Sequence, residues 1–445
     1  MPNLNPNSTD YVHSYEPNTN DLTLAMDYDS AGQPVLRVNN VGGVTYNNAG
    51  NISGSSDAFG RLRVSEPFTL FDSSLRYLDN GDKWDTATSG SGTTTHLPNE
   101  SSLEMSVTGN GDEVIRETKR VFSYQPGKGL LVLSTFVMDQ AQTGLRQRVG
   151  YFGAQNGIYF EQDGEELYLV IRKYTSGSVD DTSERIPQSE WNVDRLNGEG
   201  GQYNISLATL DITKAQIWWC DIEWLGVGSV RAGFVINGQF VVCHIFHHAN
   251  ILDSVYMTTA TLPCRYEITS TGADASMKQI CTSVMSEGGY TNKSIGHTAS
   301  TALTGKALSQ TVYRPLVCIR MKSDRLDSVV VPTKYDLLGL QQAAFKYAII
   351  INPTLTGASW TAVDSDSAVE YDISATALTG GHITDSGIFV GSNKGGTASI
   401  SGTTVDFSQQ LGRTIAGVSD IFCIAAIATS NNDDAVGSLT WQEHR

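Results

Sequence analysis

The segment Lys214–Asn250, KAQIWWCDIEWLGVGSVRAGFVINGQFVVCHIFHHAN, restricts the possible folds of this chain more than any other. Between Ile217 and Leu225, Trp218, Cys220, Ile222 and Trp224 alternate with Trp219, Asp221 and Glu223. A period of two marks a β-strand, and here one face is apolar while the other mixes indole with carboxylate. Two more strands follow, separated by Asn237-Gly238, a dipeptide that supplies the positive φ angles of a two-residue hairpin. Gly226, Gly228 and Gly233 are expected at bends or bulges. Such a half-buried strand suits one leaf of an antiparallel sandwich, whose outer face is either solvated or a binding groove.

Similar punctuation runs through the central third. Asn110-Gly111 and Asp163-Gly164 also separate alternating runs and predict hairpins. At 445 residues the chain has room for two or three units. Its charged fraction of 17% is low, and 43 glycines favour short strands joined by many turns. The fold class expected is mainly β, in three parts. Residues 1–100 form an extended N-terminal arm and docking segment, 101–310 a central antiparallel β-sandwich of jelly-roll type, and 311–445 a smaller C-terminal β domain. Tyr335–Ala344 reads as one short helix in that last domain. Residues 1–55 are rich in Asn, Pro, Ser and Gly, and are expected to gain order only against neighbouring protein.

A net charge of −17 with no Lys/Arg cluster argues against a nucleic-acid partner. No apolar run approaches the ~20 residues of a membrane helix, and Met1–Asp10 lacks the pattern of a secretory signal. Six cysteines without a CxxC pair are expected to be small buried residues, with Cys220 and Cys243 on neighbouring strands. On a strand His244 and His248 share one face while His247 points the other way, so a three-ligand metal site would need a sharp bend. No metal or cofactor is expected.

The words Asp221-Ile222-Glu223-Trp224-Leu225-Gly226 resemble the catalytic strand of laminarinase-like glycoside hydrolases, which have a concanavalin-type jelly roll. That strand carries Glu-x-Asp-x-Glu, and here Trp219 occupies the first position. A retaining mechanism needs a second carboxylate ~5–5.5 Å from the acid, and an indole cannot attack an anomeric carbon. The expectation is therefore no enzyme. Trp219, Asp221 and Glu223 remain a glycan-binding possibility, through ring stacking and acceptors for sugar hydroxyls. The competing reading pairs Asp221 with Arg231 across the hairpin.

A second resemblance spans most of the chain. Asp57-Ala58-Phe59-Gly60-Arg61-Leu62-Arg63-Val64-Ser65, followed by Phe68-Thr69-Leu70-Phe71-Asp72, looks like the amino-terminal signature of virion structural proteins of tailed bacteriophages of marine and cyanobacterial hosts. Gln147–Phe152, Ile186–Asn192, Ala215–Gly228 and Ser367–Ala377 with Gly380-Gly381 extend it. The resemblance implies a head or tail decoration or fibre-type protein, assembled in the host cytoplasm and carried in the virion. Its partners would be other virion proteins and further copies of itself, a trimer being favoured, with a host surface glycan as an additional ligand. Phe59, Arg61, Arg63, Phe68 and Phe71 would carry the docking to the particle.

Overall fold

The computed structural model describes residues 22–28, 34–40, 67–291, 294–391, 399–403 and 409–444. Near the amino terminus, Leu22–Tyr28 and Pro34–Asn40 form an antiparallel pair of their own. Phe59, Arg61 and Arg63 lie outside the described residues.

Residues Phe68–Glu287 build a two-sheet antiparallel sandwich. The front sheet runs in the order Gln239–Phe246, Val230–Ile236, Gln216–Ile222, Gly129–Val137, Ala275–Glu287, Ser102–Val107 and Thr93–Leu97, with Phe68–Ser74 also paired to Ala275–Glu287. The back sheet runs Arg185–Pro187, Glu166–Arg172, Gly157–Asp163, Leu145–Phe152, Cys264–Thr271, Asn110–Thr118 and Trp84–Ser89. Alternation in these strands sends Trp218, Cys220, Ile222, Val132, Phe136 and Phe234 inward from the front, against Val149, Ile158, Phe160, Leu169 and Tyr266 from the back. Phe160 ties the layers together, its ring 5.9 Å from Phe136 and 5.1 Å edge-on from Phe234. Each such buried ring contributes roughly 1.5–3 kcal/mol relative to exposure.

The Asn237-Gly238 hairpin forms as expected, with φ of 52° and 76°. Asp163 and Glu166 face each other across the next one, closed by Gly164-Glu165. Asn110-Gly111 is not a hairpin. Ser102–Val107 lies in the front sheet and Asn110–Thr118 in the back, so the chain arches between layers. Gly111, at φ 85°, is a bulge skipped between the pairs Asn110–Thr271 and Asp112–Ser270. The Asp112 carboxylate holds this arch by accepting from Ser91, Thr108 and Gly109 backbone N–H groups.

A second two-sheet unit follows. Its larger sheet takes Thr361–Ala362, Val369–Asp372, Arg314–Met321, Ile421–Ala428, Ala344–Ile351 and His382–Val390; its smaller sheet takes Ile295–Ser300, Asp434–His444, Val329–Gly339 and Ser399–Thr403. Leu316, Ile319, Leu337, Phe345, Phe389, Ile424 and Trp441 fill the space between them. The helix expected at Tyr335–Ala344 is instead the end of the Val329–Gly339 strand, a turn and the start of Ala344–Ile351. Tyr335 and Leu337 are buried while Leu338 is exposed, a period of two imposed by pairing with Asp434–His444. The expected boundaries also shift: strands between residues 68 and 97 pair into the first sandwich, and Ile295–Ser300 and Lys306–Ala307 pair into the second.

Cys318 and Cys423 form a disulfide between paired strands. Cys220, Cys243 and Cys264 are buried free thiols and Cys281 is exposed. Cys220 and Cys243 do not sit on neighbouring strands, because Val230–Ile236 runs between theirs.

Candidate functional site

The outer face of the front sheet is where a groove would lie, and Trp219, Asp221, Leu131 and Leu133 point onto it. Residues opposite in register share a face, so Trp219 meets Leu133 on one side and Gly233 on the other. Gly233 has no side chain, which leaves room for the indole to reach Phe240, whose ring it meets edge-on at 5.2 Å. The neighbouring strand is bulged at that point, Cys243 being skipped between the pairs Ala232–His244 and Gly233–Val242. Trp219 is fully buried there among Leu131, Leu133, Val193, Val235, Phe240, Val242, Ile245 and Met285. An indole packed in this way has no face to offer a sugar.

Asp221 is also without exposed surface, and Arg231, its partner in register, donates from Nη2 to Oδ2. The cross-strand pair weighed against sugar binding is thus present. Glu223 lies just beyond the strand end and is half-buried. Its backbone N–H donates to Ser229 O at 3.1 Å, closing a loop in which Gly228 N–H donates to Trp224 O at 2.8 Å. Gly228 is required at this point, because a Cβ there would stand 1.7 Å from Glu223 O. Trp224 meets Tyr124 edge-on at 6.3 Å, and the Ser229 hydroxyl lies 3.2 Å from Nδ1 of the exposed His247. The loop therefore brings a carboxylate, a hydroxyl and an imidazole to the end of the sheet, while Trp224 packs with buried Tyr124 against the core.

The three histidines diverge. His244 is buried, and its Nδ1 accepts from Asn192 N–H at 3.2 Å; burial, with His247 nearby, pushes its pKa down to about 4. His248 stacks on Tyr256 at 4.0 Å, with Nδ1 2.7 Å from Gly228 O and Nε2 3.0 Å from Glu184. Glu184 also pairs with Lys173 at 3.1 Å; burial pushes its carboxyl up, but the hydrogen bonds and charges of His248 and Lys173 together outweigh it and hold the carboxyl below the usual range. Among the described residues no three His, Cys, Asp or Glu side chains come together to hold a metal.

Of the residues expected to dock the particle, Phe71 belongs to the core, 5.9 Å from Trp84 and 5.0 Å from Phe122. Phe68 is 39% exposed at the start of its strand and stacks on Tyr290 at 5.7 Å. Residue-level reading missed the joint between the two units. Arg413 Nη1 donates to Glu117 at 2.5 Å, Arg413 N–H to Lys119 O at 2.7 Å, and Ile415 N–H to Asp85 at 2.7 Å. A cleft of ≈ 420 Å³ opens beside it, lined by Arg265, Asn156, Thr258, Asp324 and Asp327 among others. Its cations are engaged, since Arg265 pairs with Glu117 at 3.0 Å and Glu267 at 2.7 Å.

No protein-family model matches this chain, and no curated protein matches it. Solved structures similar to it include a glycosyl hydrolase family protein from Mycobacterium fortuitum, at 9% identity over 48% of this chain and 99% of that one, with a TM-score of 0.34. A GH16 protein of the Bacteroides ovatus mixed-linkage glucan locus matches at 8% identity, over 48% and 99%, with a TM-score of 0.32. The carbohydrate recognition domain of Emp46p matches at 9% identity, over 49% and 95%, with a TM-score of 0.29.

Proposed function

We propose that this chain is a non-catalytic structural protein of a tailed bacteriophage particle, with the segment before the first sandwich, residues 1–66, providing attachment and the two sandwiches forming one body. The observation that carries the non-catalytic part is the filled carboxylate row: Trp219 stands where a nucleophile is needed and is buried, and Asp221 is bound to Arg231. A single remaining carboxylate, Glu223, cannot supply both the acid and the nucleophile of a retaining glycosidase. The particle role is supported by the resemblance of the Asp57–Asp72 block and of the later blocks to virion proteins. It is tested by complementation: a phage lacking the gene is supplied with the full chain or with a chain lacking residues 1–66. The truncated chain is expected to fold and to stay out of purified particles, and its normal incorporation would reject the assignment.

A second reading, binding of a host glycan, is favoured by the end of the front sheet, where Glu223, Ser229 and His247 meet. Retention of the purified protein on host surface polysaccharide, weakened by Glu223→Gln and without new reducing ends, would support it. Release of reducing ends lost in Glu223→Gln would instead establish an enzyme.

A further inference from the structure

The cleft beside the Arg413–Glu117 contact takes its walls from both sandwiches. Gln155, Thr258 and Pro263 line it from the first unit, and Asp324, Leu326 and Asp327 from the second. Its volume of ≈ 420 Å³ falls within the roughly 300–1,000 Å³ of small-molecule sites. The rim is open, since Ala154, Gln155, Asp324 and Asp327 are all exposed. One wall is held in place by Asn156, whose Nδ2 donates to the Thr258 hydroxyl at 2.8 Å and whose Oδ1 accepts the Thr258 N–H at 3.0 Å.

At its base the two oxygens of Glu117 hold Arg413 from the second unit and Arg265 from the first. A guanidinium carries five N–H donors. Arg413 uses three of them, Nη1 on Glu117 and Nε and Nη2 on Asp327 Oδ1 at 3.4 and 3.3 Å. Arg265 likewise uses three, on Glu117 and Glu267. Each keeps two N–H groups, and Asp327 keeps its second oxygen. Of the charged side chains that line the cleft, three are carboxylates and two are guanidiniums. An anion would meet Glu117, Asp324 and Asp327, while a cation would meet Arg265 and Arg413. A neutral hydroxyl both donates and accepts, so it satisfies the two kinds of group at once.

We propose that the cleft between the sandwiches is a binding site for a neutral saccharide, whose hydroxyl groups are shared between Arg413 and Asp327 and whose C–H faces rest on Pro263 and Leu326. No aromatic ring lines the cleft, so recognition here works through hydrogen bonds to fixed charged groups and not through stacking. The site shares no residue with the Glu223 loop, and the proposal goes beyond the particle role without depending on it. Because both units contribute walls, a bound saccharide stabilises them together.

The test is isothermal titration of the full chain with laminaritriose, cellotriose, maltotriose and triacetylchitotriose, and with inorganic phosphate and spermidine as charged probes. At least one trisaccharide is expected to bind, and neither charged probe to do so at the same concentrations. Asp324 and Asp327 are 67% and 64% exposed, so Asp324→Asn with Asp327→Asn leaves both cores intact. That double variant is expected to weaken binding by about tenfold or more, through the loss of charged acceptors. Ala154→Trp, which places an indole in the cleft, is expected to abolish binding and Glu223→Gln to leave it unchanged, with circular dichroism unaltered in every variant. Bound trisaccharide is also expected to raise the calorimetric midpoint of the unmodified chain but not that of Ala154→Trp. Failure of all four trisaccharides to bind, or binding of phosphate or spermidine alone, would overturn the proposal. Trisaccharide binding that survives Ala154→Trp would overturn it too, and its loss in Glu223→Gln would then place the sugar at the end of the front sheet. No measurement here involves particles, so failure leaves the particle role standing.

Discussion

Arg231 and Asp221 face each other in register on adjacent strands of the front sheet, both buried, with the guanidinium donating to the carboxylate. This one pairing decides the character of the face, since it commits to structure a carboxylate that a glycosidase strand would present to substrate. Removing one member of a buried pair costs about 3–5 kcal/mol, whereas replacing both by apolar groups of similar size is close to neutral. Asp221→Ala is therefore expected to lower stability by that amount in urea titrations, and Asp221→Leu with Arg231→Met to recover most of it. A loss below ~1 kcal/mol for the single variant would show that the pair is not buried as described.

Two glycines in the same region separate crowding from backbone conformation. At Gly228 a methyl group would collide with the Glu223 carbonyl, while at Gly238 it would meet open space but at φ 76°. Gly228→Ala is expected to cost about 1–3 kcal/mol through overpacking and to displace the Glu223 loop. Gly238→Ala is expected to cost about 1 kcal/mol, from the left-handed conformation alone. Thermal unfolding of the two variants, side by side, checks the order.

The parts of this molecule that could be read from sequence are those fixed by local pattern. Alternation from Ile217 to Leu225 placed the strand, and Asn237-Gly238 placed its turn, because both depend on neighbouring residues only. Burial of Trp219 could not be read, since it depends on Gly233 and Phe240 on two other strands and on what covers the outer face. Asn110-Gly111 was misread because a bulge in an arch uses the same positive φ as a hairpin. Tyr335–Ala344 contains Leu, Gln and Ala, good helix formers, yet pairing with a strand about a hundred residues later overrides that preference. The Cys318–Cys423 bridge, 105 residues apart in sequence, had no local signal at all.

Buried His244 sets a pH dependence. Its pKa, held down to about 4, lies below the ~6.5 of an unfolded histidine. As pH falls from about 6.5 towards 4, the unfolded chain takes up a proton that the folded one refuses, so stability is full above that window and is lost within it. The difference corresponds to about 3 kcal/mol. His444, also lowered by burial, adds to the same trend. His244→Gln, whose amide oxygen can still accept from Asn192 N–H, is expected to flatten the decline between pH 6.5 and 4.5 without removing it. Denaturant midpoints measured across that range provide the check; an unaltered slope would rule out His244 as its source.

The joint between the sandwiches predicts how the molecule unfolds. Arg413 reaches from the second unit to Glu117 of the first and lies 3.3 Å from Asp327 of its own unit. Around it, Gln410 donates to Val121 O at 2.9 Å, and Val121 packs with Val329 and Val331. Glu117 is 3% exposed and also holds Arg265, so losing Arg413 leaves a buried carboxylate with one cation where it had two. The hydrogen bonds and apolar contacts crossing this joint couple the units, and a single cooperative transition is expected in calorimetry of the full chain. Arg413→Ala is expected to cost about 2–4 kcal/mol and to split that transition in two, because the interaction removed spans the units and not the core of either. Two well-separated transitions in the unmodified chain would show instead that the units are energetically independent and that the Arg413–Glu117 contact contributes little.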